Sequence, residues 1–299
     1  MVKKKPYKRL ISSFTSKAEY ILDLQIMKVS RKRNDYSLFY CGYYEIGLLK
    51  VFPYKKRKLT KLWSKTTERT AAITSLENNV FLTNQKGLIK RLKISQEGYS
   101  TIWEQRVNLL PMKIFVNKKK LWIFGQEGKL KVLNISDGSV FSEYNISKYP
   151  ISNVAGSFHN IWIFTNDKGN ILTFNPKTKL QVWNQNTSKE SPISGLSFFN
   201  RTLFVVNQRG EIWQIAPRSG EIINQYHTDR PAGSPIIKHD LEIVAWGGIG
   251  GIVFYNLMDG KAIYPRETKG CWIRCVIPWK SYYFSGDDCG NIKCIKKSR

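Results

Sequence analysis

Histidine and cysteine are the side chains most able to do metal or nucleophilic chemistry, and this 299-residue chain has few of either. The histidines are His159, His227 and His239, far apart and in no metal-ligand spacing. The repeat described below puts His159 and His239 in equivalent first-to-second-strand loops and His227 between the fifth and sixth repeats. The five cysteines are Cys41, Cys271, Cys275, Cys289 and Cys294. Cys271 and Cys275, four apart, would share one side of a strand. Cys289 falls in a turn and Cys294 in the next strand. A structural zinc site prefers paired thiolates at tight turns with shorter spacing. The four C-terminal cysteines therefore read as buried, inert thiols. The odd total and absence of scaffold-like spacing suit a reducing interior. No catalytic residue, metal site or cofactor site is expected.

The run Gly247-Gly248-Ile249-Gly250-Gly251 could suggest a phosphate loop, but such a loop needs a helix N-terminus after it. Here strands lie on both sides, and the run reads as a bulge or a close backbone approach near the ring axis.

The elements that position these residues come from a repeat. Gly47, Gly87, Gly128, Gly169, Gly210, Gly250 and Gly290 recur every 40 or 41 residues. An apolar run precedes most of them, such as Leu121-Trp122-Ile123-Phe124 or Ile161-Trp162-Ile163-Phe164, suited to a strand buried on both faces. An alternating run follows, such as Gly128-Lys129-Leu130-Lys131-Val132-Leu133, suited to a half-buried strand. Turn formers precede the glycine: Asn84-Gln85-Lys86, Asn166-Asp167-Lys168, Asn207-Gln208-Arg209 and Asp287-Asp288-Cys289. A second turn (Ser136-Asp137-Gly138, Pro217-Arg218-Ser219-Gly220, Met258-Asp259-Gly260) leads to a further strand, often with an aromatic: Trp63, Trp103 or Trp183. With a short strand upstream of each apolar run, every repeat holds four strands, the size of one propeller blade. After Gly290 only one more strand fits, so the seventh blade lacks its outer strand. The segment Tyr7–Phe14 belongs to no other blade and is expected to fill that place, which removes open edges. The fold class expected is all-β: a single seven-bladed β-propeller over residues 1–299, with residues 1–15 as closing strand and basic tail.

The stretches Gly128–Val140, Gly169–Trp183 and Gly250–Ile263 resemble the PQQ-like (quinoprotein-type) repeat, in which a glycine and two apolar strand residues lead to a tight turn and a strand ending in tryptophan. The resemblance spans about residues 20–299. The last blade, Phe284-Ser285-Gly286-Asp287-Asp288-Cys289-Gly290-Asn291-Ile292, is more similar to a WD40 repeat. Both imply a β-propeller and leave function open. Quinoprotein dehydrogenases carry an extra blade, a calcium site and often an adjacent cysteine pair. This chain has no Cys-Cys dipeptide and no acidic cluster for calcium.

Charge is the second signal. The net charge is +26, and residues 1–66 hold 17 Lys or Arg against 4 Asp or Glu. One face of a propeller carries the loops between strands one and two and between strands three and four; the other carries the two-to-three loops and the links between blades. By the repeat, Arg31, Lys32, Arg33, Lys55, Lys56, Arg57, Lys58, Lys118, Lys119, Lys120, Lys177 and Lys179 fall on the first face, with Arg201, Arg218, Lys238 and Lys280. Few acids oppose them there. On the second face, Lys86, Lys168, Arg209 and others are nearly balanced by acids such as Glu127, Asp167 and Asp288. A positive field attracts polyanions and speeds their association. Solvated lysines that keep a protein soluble give the same composition. Aromatics interleaved with charge, as in Val51-Phe52-Pro53-Tyr54-Lys55, suit either base stacking or blade core.

The expectation is a non-catalytic scaffold within a multi-subunit assembly, with a protein partner and RNA or DNA docked on the basic face. The alternatives are a propeller that binds an acidic protein and, third, a quinoprotein-type oxidoreductase. No signal-peptide or membrane-spanning run is seen, so an intracellular location, cytoplasmic or nuclear, is expected without membrane contact. Lys3-Lys4-Lys5-Pro6-Tyr7-Lys8-Arg9 can also be read as a nuclear-import signal.

Overall fold

A computed structural model describes residues 7–29, 36–51, 58–187, 191–199, 201–229, 232, 237–238, 243–249, 251–263 and 271–297. Its strands form seven antiparallel four-stranded sheets. Blade one is β2 (Ile21–Met27), β3 (Ser37–Gly42), β4 (Glu45–Lys50) and β5 (Thr60–Thr66). Blade two is β6 (Thr70–Leu76), β7 (Asn79–Asn84), β8 (Leu88–Ile94) and β9 (Tyr99–Arg106). Blade three is β10 (Pro111–Asn117), β11 (Lys120–Gly125), β12 (Lys129–Asn134) and β13 (Val140–Asn145). Blade four is β14 (Ile151–Phe158), β15 (Ile161–Asn166), β16 (Asn170–Phe174) and β17 (Asn184–Asn186). Blade five is β18 (Ile193–Phe199), β19 (Thr202–Asn207), β20 (Glu211–Ile215) and β21 (Ile222–His227). Blade six is β22 (Ile237–Lys238), β23 (Ile243–Gly248), β24 (Gly251–Asn256) and β25 (Ala262–Ile263). Blade seven is β26 (Ile273–Trp279), β27 (Tyr282–Asp287) and β28 (Asn291–Lys297), completed by β1 (Tyr7–Thr15). The closing strand expected from the N-terminus is present, and Phe14 pairs with Ile292.

A lone blade leaves both faces bare, so apolar burial must come from stacking. The seven buried clusters each join two neighbouring blades. Phe39, Leu48 and Trp63 of blade one meet Ile73, Val80 and Leu92 of blade two. The cluster that closes the circle joins Phe284, Ile292 and Cys294 of blade seven to Ile21, Leu24 and Tyr40 of blade one. In blades one, two, four, five and seven the second strand is the most buried, as its continuous apolar run requires; β3 is buried along its whole length.

Two local devices recur. In the second-to-third-strand turns of blades two, four, five and seven, a buried Asn or Asp accepts two backbone N–H bonds. Asn84 Oδ1 accepts from Lys86 and Leu88, each at 2.9 Å, and Asp287 Oδ1 from Cys289 at 3.0 Å and Asn291 at 2.8 Å. These are the turn formers read from the sequence. The second device is a tryptophan that docks on the next blade. Nε1–H of Trp63, Trp103 and Trp183 donates to the carbonyls of Ser95, Ile135 and Pro217 at 3.1, 2.9 and 3.0 Å.

Three expectations are corrected. Gly47 is not a turn residue: it lies inside β4, where a Cβ would come within 2.5 Å of the Tyr40 ring. That ring crosses the strand so that its buried hydroxyl donates to the Glu45 carboxylate, and only glycine leaves it room. His227 ends β21 rather than lying in the link after it. Gly247 does make a close approach, but to the neighbouring blade: a Cβ there would meet Ile273 at 2.4 Å. Gly250 and His239 lie outside the described residues. Among the described residues no helix is long and apolar enough to cross a membrane.

Candidate partner-binding face

Because strand one is innermost and strand four outermost in every blade, the one-to-two and three-to-four connections share one end of the ring. Lys118 and Lys119 form the whole turn between β10 and β11. Lys177 and Lys179 lie between β16 and β17, Lys58 between β4 and β5, Arg201 before β19, Arg218 between β20 and β21, and Lys280 between β26 and β27. All eight are exposed and on the first face, as the repeat places them. Lys120 is a strand residue, the first of β11, and is half-buried. Arg31, Lys32, Arg33, Lys55, Lys56 and Arg57 lie outside the described residues.

The turns that carry these cations are tight. Two-residue hairpin turns with the twist of the strands need positive φ, usually met by Asn or Gly. Here Lys118, Lys119, Arg201 and Lys280 adopt φ of 49°, 59°, 61° and 49°, and Lys179 in an outer loop 60°. Each costs on the order of 1 kcal/mol relative to glycine. Basic residues thus occupy positions where backbone physics prefers another residue.

Some of the cations have partners. Lys118 Nζ donates to Asn160 Oδ1 of the next blade at 2.5 Å. Lys120 donates to Asn134 and lies 3.6 Å from the centroid of the exposed Phe141 ring. Lys280 Nζ lies 4.7 Å from both the Tyr36 and Trp279 rings. The side chains of Lys58, Lys119, Lys177, Lys179, Arg201 and Arg218 make no hydrogen bond, ion pair or ring contact with another described residue. Acids share this face, among them Glu77, Glu97, Asp137 and Glu221 in its loops. Asp137 is turned to its own loop: Ser139 N–H and hydroxyl bonds at 2.9 and 2.7 Å hold its carboxyl below the usual range. On the second face four cations are covered, while Lys86, Arg106 and Lys148 are exposed with no side-chain partner among the described residues. Lys65 lies over Tyr99, Arg69 over Tyr43 and Lys168 over Tyr149, and Arg274 meets Asp288 at 3.5 Å.

The cysteines need a correction. Cys271 and Cys289 form a disulfide, with Cα atoms 6.0 Å apart. Cys271 precedes β26 and so does not share a strand with Cys275. The repeat's own geometry makes the bond possible. In blades two, three, four, five and seven the first turn residue after strand two donates its N–H to the residue before strand one, as Asp288 does to Trp272 at 3.0 Å. Cys271 and Cys289 flank that bond. Bonded to each other, neither offers a thiolate to a metal, although Asp288 is beside them. Cys275 and Cys294 are the buried thiols expected, and Cys41 is buried as well; burial pushes Cys41 up to about 12 and the other two well above the usual range, so none is a poised nucleophile.

Seven four-stranded blades, each packed on its neighbours, define the fold as a β-propeller. The chain belongs to the family described as outer membrane protein assembly factor BamB, whose model matches residues 54–226. No curated protein matches it. Among solved structures, the computationally designed Ika8 protein superposes with a TM-score of 0.73 at 12% identity, covering 97% of this chain and 100% of that one. That likeness is one of fold.

Proposed function

We propose that this propeller is a non-catalytic scaffold that docks a polyanion, a nucleic acid or ribonucleoprotein, on its first face. The observation that carries the reading is the contrast in pairing. Among the described residues, the first face presents Lys119, Lys177, Lys179, Arg201 and Arg218 without a side-chain partner, whereas on the second face Lys65, Arg69, Lys168 and Arg274 meet rings or an acid and Lys86, Arg106 and Lys148 are bare. Bare cations release counterions from a phosphate backbone; covered ones have less to gain.

The test is a salt titration of single-stranded nucleic-acid binding. Replacing Lys118, Lys119, Lys177 and Lys179 by Gln is expected to weaken binding and to flatten the salt slope by about 0.7 per lost phosphate contact. Replacing Lys86, Lys168 and Arg209 by Gln is expected to matter much less. Equal losses in both sets, or no binding by the unaltered chain at about 0.15 M salt, would end this reading.

A second reading, a propeller that binds protein, is supported by the family's description as an assembly factor. It is also supported by exposed apolar residues along the outer strands: Val140, Phe141, Leu180, Val182, Ile222 and Ile223.

A further inference from the structure

Between blades four and five the first face opens into a groove of about 300 Å³. Its walls include Phe158 and His159 from the inner hairpin of blade four, Arg201 from that of blade five, and Pro217, Arg218 and Ile223 from the outer loop and strand of blade five. The corresponding place between blades two and three is bridged. There Arg91, opposite Trp103, donates from Nε to Asn79 at 3.0 Å and from a terminal nitrogen to the Ile135 carbonyl at 2.9 Å. In blade four Thr173 holds the place opposite Trp183, and its hydroxyl is spent on the Trp183 backbone, which it meets twice at 2.7 Å. A short side chain in the place where blade two has its spanning arginine leaves the groove open.

We infer that this groove is a docking site for an acidic protein segment that inserts an aliphatic side chain against Pro217 and Ile223 and pairs its carboxylates with Arg201 and Arg218. The charge complementarity is direct. Both arginines are exposed and make no ion pair or hydrogen bond from their side chains to a described residue, and no acid lines the groove. A guanidinium binds a carboxylate through two parallel bonds, which fixes direction as well as strength. The apolar part decides between protein and nucleic acid. A nucleobase needs an open aromatic face, but Phe158 is stacked on Phe198 at 5.8 Å and carries His159 edge-on at 4.4 Å. The remaining wall is aliphatic, and Ile223 is 53% exposed. Arginine is one of the side chains that most often carry binding energy in protein interfaces, and here it flanks an exposed apolar wall. The exposed Leu180 and Val182 lie just before Trp183, whose indole is bonded to Pro217, so the apolar path continues onto blade four.

The groove shares Arg201 and Arg218 with the basic face proposed above to dock a polyanion, and one experiment separates the two readings. Fluorescence anisotropy of the full chain would use three labelled probes at about 0.15 M salt: a dodecapeptide of repeating Asp-Leu-Glu, its Asp-Ser-Glu counterpart, and dodecauridylate. The leucine peptide is expected to bind at least about tenfold tighter than the serine peptide. Ile223→Ser and the double variant Arg201→Gln/Arg218→Gln are each expected to weaken the leucine peptide about tenfold, with unchanged melting temperature. The Lys118, Lys119, Lys177 and Lys179 to Gln variant should leave that peptide nearly unaffected while reducing dodecauridylate binding. If the leucine peptide binds no better than the serine peptide, or neither binds, the inference fails. If the groove variants instead cost dodecauridylate as much as the peptide, the groove belongs to nucleic acid.

Discussion

Asp23 is an acid that the fold tolerates rather than uses. It lies on β2, an innermost strand, and meets Lys113 of blade three at 3.8 Å, reaching past blade two. Burial raises its carboxyl above the usual 3.8, more than the Lys113 charge and the Leu24 N–H lower it. A raised folded-state value means that the folded chain holds its proton longer than the unfolded one. Asp23's contribution to stability is therefore full below its ordinary value and is lost as the pH rises through the folded one. Asp23→Asn removes that loss. The variant is expected to melt above the parent near pH 7 and with it near pH 3, a comparison that thermal melts at the two pH values make directly. A lower melting temperature at pH 7 would show that the Lys113 attraction outweighs the cost of burial.

At the scale of the element, the tryptophan dock is a wager on a glycine in the facing loop. Gly220 has φ of +80°, and a Cβ there would lie 2.8 Å from the Trp183 ring. Gly260 occupies the matching loop of blade six with φ of +66°, but its nearest neighbour would be the Tyr255 hydroxyl at 3.5 Å. Alanine strains the backbone at both sites and crowds a ring at only one. Gly220→Ala is thus expected to cost about 1–3 kcal/mol more than Gly260→Ala in denaturant unfolding. The same scale explains what was legible in the sequence. Turn glycines, apolar second strands and terminal tryptophans are local signals, and each named its element. Gly47 kept the period by coincidence, because the ring it accommodates, Tyr40, is a cross-strand neighbour. The Cys271–Cys289 bond was hidden because it joins a blade's link to its own inner turn, a contact visible only once the strand register is known. Mass spectrometry after alkylation without reductant is expected to find three free thiols, with Cys271→Ser releasing Cys289 as a reactive fourth. Five labelled thiols in protein alkylated inside intact cells would mean that the bond is not formed there.

For the whole molecule, the ring itself was legible from the period, but the groove between blades four and five was not. It arises from Thr173 standing where another blade has Arg91, a difference that means nothing until the blades are stacked. Closure makes the stronger claim about the whole. β1 pairs with a partner almost the full sequence away, from Tyr7 with Lys297 to Thr15 with Asn291. It is tied into its own blade and into blade one. Phe14 packs in the cluster shared by blades seven and one, with its ring 5.9 Å from Tyr40, and the Ser12 hydroxyl accepts the Leu59 N–H at 3.0 Å. The Ser16 N–H donates to the Gly290 carbonyl at 2.9 Å. A chain starting at Ser16 loses the Phe14 side chain from that cluster and leaves the β28 edge bare, which invites pairing with other chains. Loss of the phenyl ring alone costs on the order of 3 kcal/mol when it is well packed. An open array of repeats could shed that cost by fraying one terminal blade. A closed ring cannot, because blade seven is also the wall against which blade one packs. Calorimetry of the shortened chain is therefore expected to show one transition shifted down as a whole, with increased association on standing. A transition unchanged from that of the full chain would mean that β1 does not hold the ring shut, and a split one would mean that blade seven melts by itself.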